Sequence, residues 1–113
     1  MTLHKLDLQV EPFKMIEEGS KIYELRLFDE RRRTIRPFDQ IEFVETQSKK
    51  KLLVTVESLH IFNNFKQLYD YVDPALMGYK KDQHCSYKDM EKYYPLARQK
   101  AHKVVAIKIV LNK

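Results

Sequence analysis

The chain has 113 residues, 43% apolar and 33% charged, enough for one modest core in a single domain and too rich in Leu, Ile, Val, Tyr and Phe to be disordered. Its 21 Lys and Arg against 16 Asp and Glu leave a net charge of +5, which favours anionic partners without selecting one. Cys85 is the only cysteine, so an intrachain disulfide is excluded and a cytoplasmic setting is expected; no basic leader followed by an apolar run and no stretch of eighteen apolar residues occurs, so neither a signal peptide nor a membrane span is expected.

Leu6, Leu8 and Val10 alternate with Asp7 and Gln9, which predicts a half-buried first strand ending at Glu11-Pro12. Pro12 tolerates a first helical turn, Phe13 and Ile16 share a face, and Gly19 can cap, so a short helix over 12–18 follows. Residues 21–28 read as a second strand in which Tyr23, Leu25 and Leu27 face one way and Ile22, Glu24, Arg26 and Phe28 the other. The charged stretch 29–39, with Pro37, is a connection to a third strand around Ile41 and Phe43. KLLVTVESLHI, residues 51–61, has the profile of a strand through the centre of a sheet.

Asn63 or Asn64 can cap a helix carrying Phe65, Leu68, Tyr69 and Val72 at helical spacing, and Asp73-Pro74 opens a further turn that Gly78 stops. Ser86 and Asp89 read as a capping pair for a helical stretch ending near Tyr93-Tyr94-Pro95, and Pro95 opens another short helix. VVAIKIVL, residues 104–111, is apolar on both faces, as an interior strand would be. Five strands with helices in the gaps and no regular βαβ alternation predict an α+β domain, and a small curved barrel is one way to bury that last strand on both sides.

His4, His60, His84 and His102 are widely separated and none has a metal-ligand spacing with Cys85, so no metal site is expected. His84 and Cys85 are chain neighbours, which tend to point apart, so a nucleophilic pair is not expected either. With only Gly19 and Gly78 no glycine-rich phosphate cradle can form, and no bound cofactor is expected. Most of the thirteen Tyr and Phe sit at periodic core positions; Tyr79, Tyr87, Tyr93 and Tyr94 are the surface candidates, where a stacked base is worth roughly 1–3 kcal/mol. Lys21, Glu24 and Arg26 admit two readings. On a solvated sheet face the pair Glu24–Arg26 is worth about 0–1 kcal/mol. In an enclosed cleft the carboxylate accepts from a base amino group while the cations hold a phosphate or carbonyl.

The segment PFKMIEEGSKIYELRLFDERRRTIRPFDQIEF, residues 12–43, resembles the signature of the ASCH domain, the PUA-like module named after activating signal cointegrator homology. His4 before the first strand, a helix beginning after a Phe-Asn turn, and Met90, Tyr93 and Tyr94 in a Met-x-x-Tyr-Tyr stretch match as well. The match is most specific at Gly19, Lys21, Glu24, Arg26, Asp29 and Asp39, and it departs at Phe38, where the family usually places Gly before Asp. The resemblance implies a PUA-type mixed β-barrel of about five strands with short helices around it, a cleft beside the first helix, and binding of RNA or a nucleotide-like ligand. Expected ligand contacts are Lys21, Glu24, Arg26, Asp29, Arg31, Arg32, Tyr93 and Tyr94, with Arg31, Arg32 and Arg33 extending the basic footprint.

Some small members resemble amidohydrolases of acylated pyrimidine nucleosides, and others are connected with RNA cleavage. In the amidohydrolase pattern a strand Lys is accompanied by a Thr and, farther along, by a Glu. Lys21 matches that Lys, whereas Glu24 stands where Thr is expected. The alternative expectation is thus a small hydrolase with Lys21 as the activating or nucleophilic group and Glu24 as general acid or base.

Overall fold

The computed structural model describes residues 1–112. Five strands, β1 (Leu3–Leu8), β2 (Tyr23–Leu27), β3 (Gln40–Glu45), β4 (Lys51–Phe62) and β5 (Val104–Leu111), form one sheet in the order β1-β3-β4-β5-β2. β1 runs parallel to β3, and every other neighbouring pair is antiparallel. The sheet curls into a half-barrel with α1 (Val10–Glu18), α2 (Phe65–Tyr71), α3 (Leu96–His102) and several single turns packed around it, the α+β architecture expected from the sequence. Among the described residues no helix is long and apolar enough to cross a membrane.

β4 is the central strand, pairing with β3 along its first half and with β5 along its second. A register shift between Val56 and Ser58 leaves Glu57 in a bulge, which bends the strand and adds twist, and so helps the sheet to curl. β5 is covered on both faces. Val105, Ile107 and Ile109 join Leu6, Phe13, Ile16 and Phe43 in one core, whereas Val104 and Ala106 join Leu27, Phe65 and Leu68 in a second. A strand between two cores is apolar on both faces over Val104–Ile107, and Lys108 and the exposed Val110 mark where that cover thins.

The first strand stops earlier than its alternation predicts. Thr46 N bonds Leu8 O, and Phe13 N already bonds Gln9 O, so Val10 opens α1 instead of closing β1. Pro12 then lies in the first helical turn, where its missing N–H has no partner to lose. Gly19 ends the helix in the left-handed conformation at φ 86° and returns its N–H to Ile16 O. Asn64 caps α2 through Gln67 N, Asp73 caps the 3₁₀ turn Pro74–Met77, and Ser86 caps the turn Tyr87–Lys92.

The 29–39 connection is held by two aspartates. Asp29 accepts from Arg32 N at 3.2 Å and pairs with Arg32 Nη1 at 3.1 Å. Asp39 accepts from His4 Nε2 at 2.8 Å, Thr2 N at 3.0 Å and Arg36 N at 3.0 Å, tying the turn to the start of β1. The His4 hydrogen bond foremost, and the two backbone N–H groups with it, overcome partial burial and hold the Asp39 carboxyl down at about 2. Beside it, Phe38 adopts φ 73° while 70% exposed. A phenylalanine thus holds a left-handed backbone conformation that favours glycine.

Two outcomes are expected. Asp39 is held at about 2 in the fold, below the 3.8 of an unperturbed aspartate, so its stabilising effect is complete above about pH 4 and is lost as pH falls toward 2. Asp39→Asn should flatten the acid limb of a denaturant titration between those values; an unchanged limb would exclude this carboxyl as the titrating group. Phe38→Gly should raise stability by up to about 1 kcal/mol in urea unfolding, because relief of left-handed strain outweighs the added freedom of the unfolded chain.

Candidate ligand-binding cleft

Alternation in β2 buries Leu25 and Leu27 in the second core and turns Glu24 and Arg26 to the opposite face. Lys21 precedes the strand and reaches that face from the loop after α1, where its N–H stays bound to Met15 O and the next residue, Ile22, bonds Leu76 O. Lys21 Nζ lies 3.2 Å from Glu24 Oε1 and donates to Met77 O at 3.4 Å. Arg26 donates through Nε and Nη2 to Glu24 Oε2, both at 2.8 Å, and through Nη2 to Asp7 O at 2.7 Å. The three side chains are 10%, 5% and 13% exposed, which rules out the freely hydrated surface pair.

Burial by itself would raise the Glu24 carboxyl, but the charges of Lys21 and Arg26 and their hydrogen bonds outweigh it and hold the group below the usual carboxylate range. Glu24 is therefore an anion at neutral pH, flanked by two cationic side chains. Among the described residues Arg26 Nη1 has no protein partner, and the two acceptors of Lys21 leave one of its three donors free.

These side chains form the inner wall of a cleft of about 780 Å³. The end of β1 and the start of α1, Tyr69, the 77–79 turn and residues between Gln83 and Tyr94 complete the wall. Gly78 has φ 104°, and a Cβ there would stand 2.8 Å from Met15 Sδ and 3.5 Å from Lys21 Cδ, so the chain passes over the Lys21 stem only as glycine. Tyr94 stacks on Phe65 at 5.6 Å and is half-buried, while Tyr93, 61% exposed, stands beside it at the rim. Burial foremost pushes the Tyr94 phenol up, against the pull of Arg26.

A second polar group in the cleft went unrecognised in the sequence. Tyr79 donates to Asp89 Oδ2 at 2.7 Å and lies 2.8 Å from the Tyr69 hydroxyl. The proton of Tyr79 is committed to Asp89, so Tyr69 donates to Tyr79. Burial foremost pushes Tyr69 up to about 12 and raises Tyr79 as well, where donation to the Asp89 carboxylate adds to it. Asp89 thus does not complete the Ser86 cap, as its spacing predicts, but turns into the cleft. Tyr69 follows the apolar stripe of α2, and nothing local marks its hydroxyl; the signal exists only between segments ten residues apart.

The remaining basic candidates lie elsewhere. Arg31 and Arg32 line a neighbouring recess of about 390 Å³ with His4, Lys5 and Thr34, and Asp29 serves Arg32 rather than the cleft. Arg33 stacks on Phe28 at 4.5 Å and bonds His102 O. Arg36 bonds the carbonyls of Arg33 and Ile35. His84 reaches the cleft, but burial and Asp89 push the thiol of Cys85 up, away from a reactive thiolate. Among the described residues no cluster of His, Cys, Asp or Glu is placed to hold a metal ion.

No protein-family model matches the chain, and no curated protein matches it. Solved structures do. The ASCH protein of Zymomonas mobilis superposes with a TM-score of 0.63 at 18% identity, over 96% of this chain and 67% of that one. The curled five-stranded sheet with short helices around it is thus the ASCH fold, a small α+β PUA-like architecture. The hypothetical protein PH0355 is 31% identical over 99% of this chain and 100% of its own, with a TM-score of 0.77, and PF0455 from Pyrococcus furiosus is 28% identical over 99% of each, with a TM-score of 0.72. The chain belongs to one family with PH0355.

Removing Glu24 leaves two buried cations facing each other. Glu24→Ala should therefore lower stability by roughly 3 kcal/mol, and inorganic phosphate should raise the melting temperature of the variant more than that of the wild type. Equal responses to phosphate would mean that no anion enters the inner wall.

Proposed function

We propose that the cleft binds one nucleotide unit, either within RNA or as a free nucleotide-like ligand, in a cytoplasmic setting. The observation that carries this reading is the buried Lys21–Glu24–Arg26 group, two cationic side chains on one ionised carboxylate, set in a 780 Å³ cleft under the rings of Tyr93 and Tyr94. An ionised carboxylate only accepts hydrogen bonds, so Glu24 selects a donor such as a base amino or ribose hydroxyl group. The free donors of Lys21 and Arg26 suit a phosphate or carbonyl oxygen. Tyr93 offers an exposed ring for stacking.

The hydrolytic alternative draws on the same contact between Lys21 and Glu24. Its support is weaker, because Nζ already donates to Glu24 and to Met77 O and, among the described residues, has no hydroxyl partner such as the Thr of the amidohydrolase pattern. That arrangement is suited to holding a ligand more than to attacking one.

Titration with ribonucleotides and short RNA tests the reading. Affinity should fall as salt rises, and Lys21→Ala should weaken binding about 10-fold or more, the scale of one charge-assisted hydrogen bond. Binding that is flat in salt and indifferent to Lys21 would reject it. Release of acid from acylated cytidines, abolished by Lys21→Ala, would establish the hydrolase instead.

A further inference from the structure

β1 and β2 are the two edges of the sheet, and the curl brings them face to face across an open seam. Two arginines span it. Arg26 Nη2 donates to Asp7 O at 2.7 Å, and Arg31 Nη2 reaches Lys5 O at 3.5 Å. The two carbonyls lie two residues apart on β1, so they point to the same side at a separation of about 6.6 Å. Asp7 borders the cleft and Lys5 borders the smaller recess, which places the two cavities in sequence along one seam.

The smaller recess has its own unspent cationic donors. Among the described residues no carboxylate pairs with Arg31, whose side chain makes only the long hydrogen bond to Lys5 O. Arg32 is paired with Asp29, yet its Nε is buried without a partner. Lys5, Arg31 and Arg32 together outweigh the acidic side chains present, Glu30 on the wall and Asp29 behind Arg32. An anion entering there meets donors that the fold itself leaves unused.

We infer that the β1–β2 seam is a two-phosphate track for a single-stranded polynucleotide. One phosphate lies in the cleft against Lys21 and Arg26, and its neighbour along the strand lies in the recess against Arg31. The spacing of the two β1 carbonyls is comparable to that of successive phosphates in an extended strand, and Tyr93 and Tyr94 at the cleft rim leave a face for the base between them. The track rests on the reading that the cleft takes a nucleotide. It adds that the preferred ligand is an oligomer and that Arg31 reads its second phosphate.

The test compares a 5′-phosphorylated ribomononucleotide with ribo- and deoxyribo-oligomers of two and eight residues carrying the same base, on wild type and on Arg31→Ala and Arg31→Glu. Arg31 makes one long contact on the surface, so both variants should fold, which circular dichroism verifies. The expected result is that the wild type binds the oligomers more tightly than the mononucleotide. Arg31→Ala should weaken oligomer binding about 5- to 10-fold and reduce the logarithmic salt slope by about 0.7, with mononucleotide affinity unchanged and Arg31→Glu more severe. Equal ribo- and deoxyribo-oligomer binding assigns recognition to the phosphodiester alone; a preference for RNA adds a 2′-hydroxyl contact, and the track holds in either case. Oligomer binding no tighter than that of the mononucleotide, or indifferent to Arg31, overturns the track while leaving the cleft reading intact. Failure of the wild type to bind any of these probes overturns both.

Discussion

The buried ionic group at the start of β2 constrains everything around it. One carboxylate, Glu24, holds two cationic side chains that would otherwise stand in a poorly hydrated wall, and their charges and hydrogen bonds offset the burial that would raise its pKa. Desolvating three charges is costly, and such a group is weak evidence for stability on its own. Its retention makes more sense as preorganisation. Donors already desolvated and aimed into a cleft have little solvent or rotamer freedom left to lose when a ligand arrives.

Arg26 joins two roles that are usually separate. Its Nε and Nη2 fix the Glu24 carboxylate, and Nη2 also bridges β2 to the Asp7 carbonyl on the opposite edge. The seam between the sheet edges is thus held partly by the side chain that lines the site. This geometry satisfies otherwise unpaired edge carbonyls and discourages edge-to-edge association with another sheet. At the floor Gly78 takes a φ of 104° that favours glycine, and a Cβ there would also crowd the Met15 sulfur at 2.8 Å.

The residues at which the chain most closely resembles an ASCH domain divide by physical role. Gly19, Asp29 and Asp39 shape backbone: a left-handed helix end, a capped 3₁₀ turn, and a turn tied to β1 through His4. Lys21, Glu24 and Arg26 form the cleft wall. Phe38 departs from the pattern and takes a left-handed conformation that favours glycine, an energetic cost that Asp39 and its three hydrogen bonds hold in place.

Elements with local signals are legible along the chain. Alternation in β2 puts Glu24 and Arg26 on one face, the doubly apolar run 104–111 marks an interior strand, and Asp73, Ser86, Gly19, Gly78 and one of Asn63 and Asn64 mark helix ends, because caps and periodicity act over a few residues. Val10 opens α1 against its alternation, since the last β1 ladder bond comes from Thr46, far along the chain. It takes the folded arrangement to bring Lys21 to Glu24, to set Arg31 and Arg32 in a separate recess, and to make Tyr69, Tyr79 and Asp89 meet in the cleft. Those outcomes depend on how the bulged sheet curls and on which segments close over it. A side chain's burial and partners are properties of that closure, which spacing along the chain does not encode.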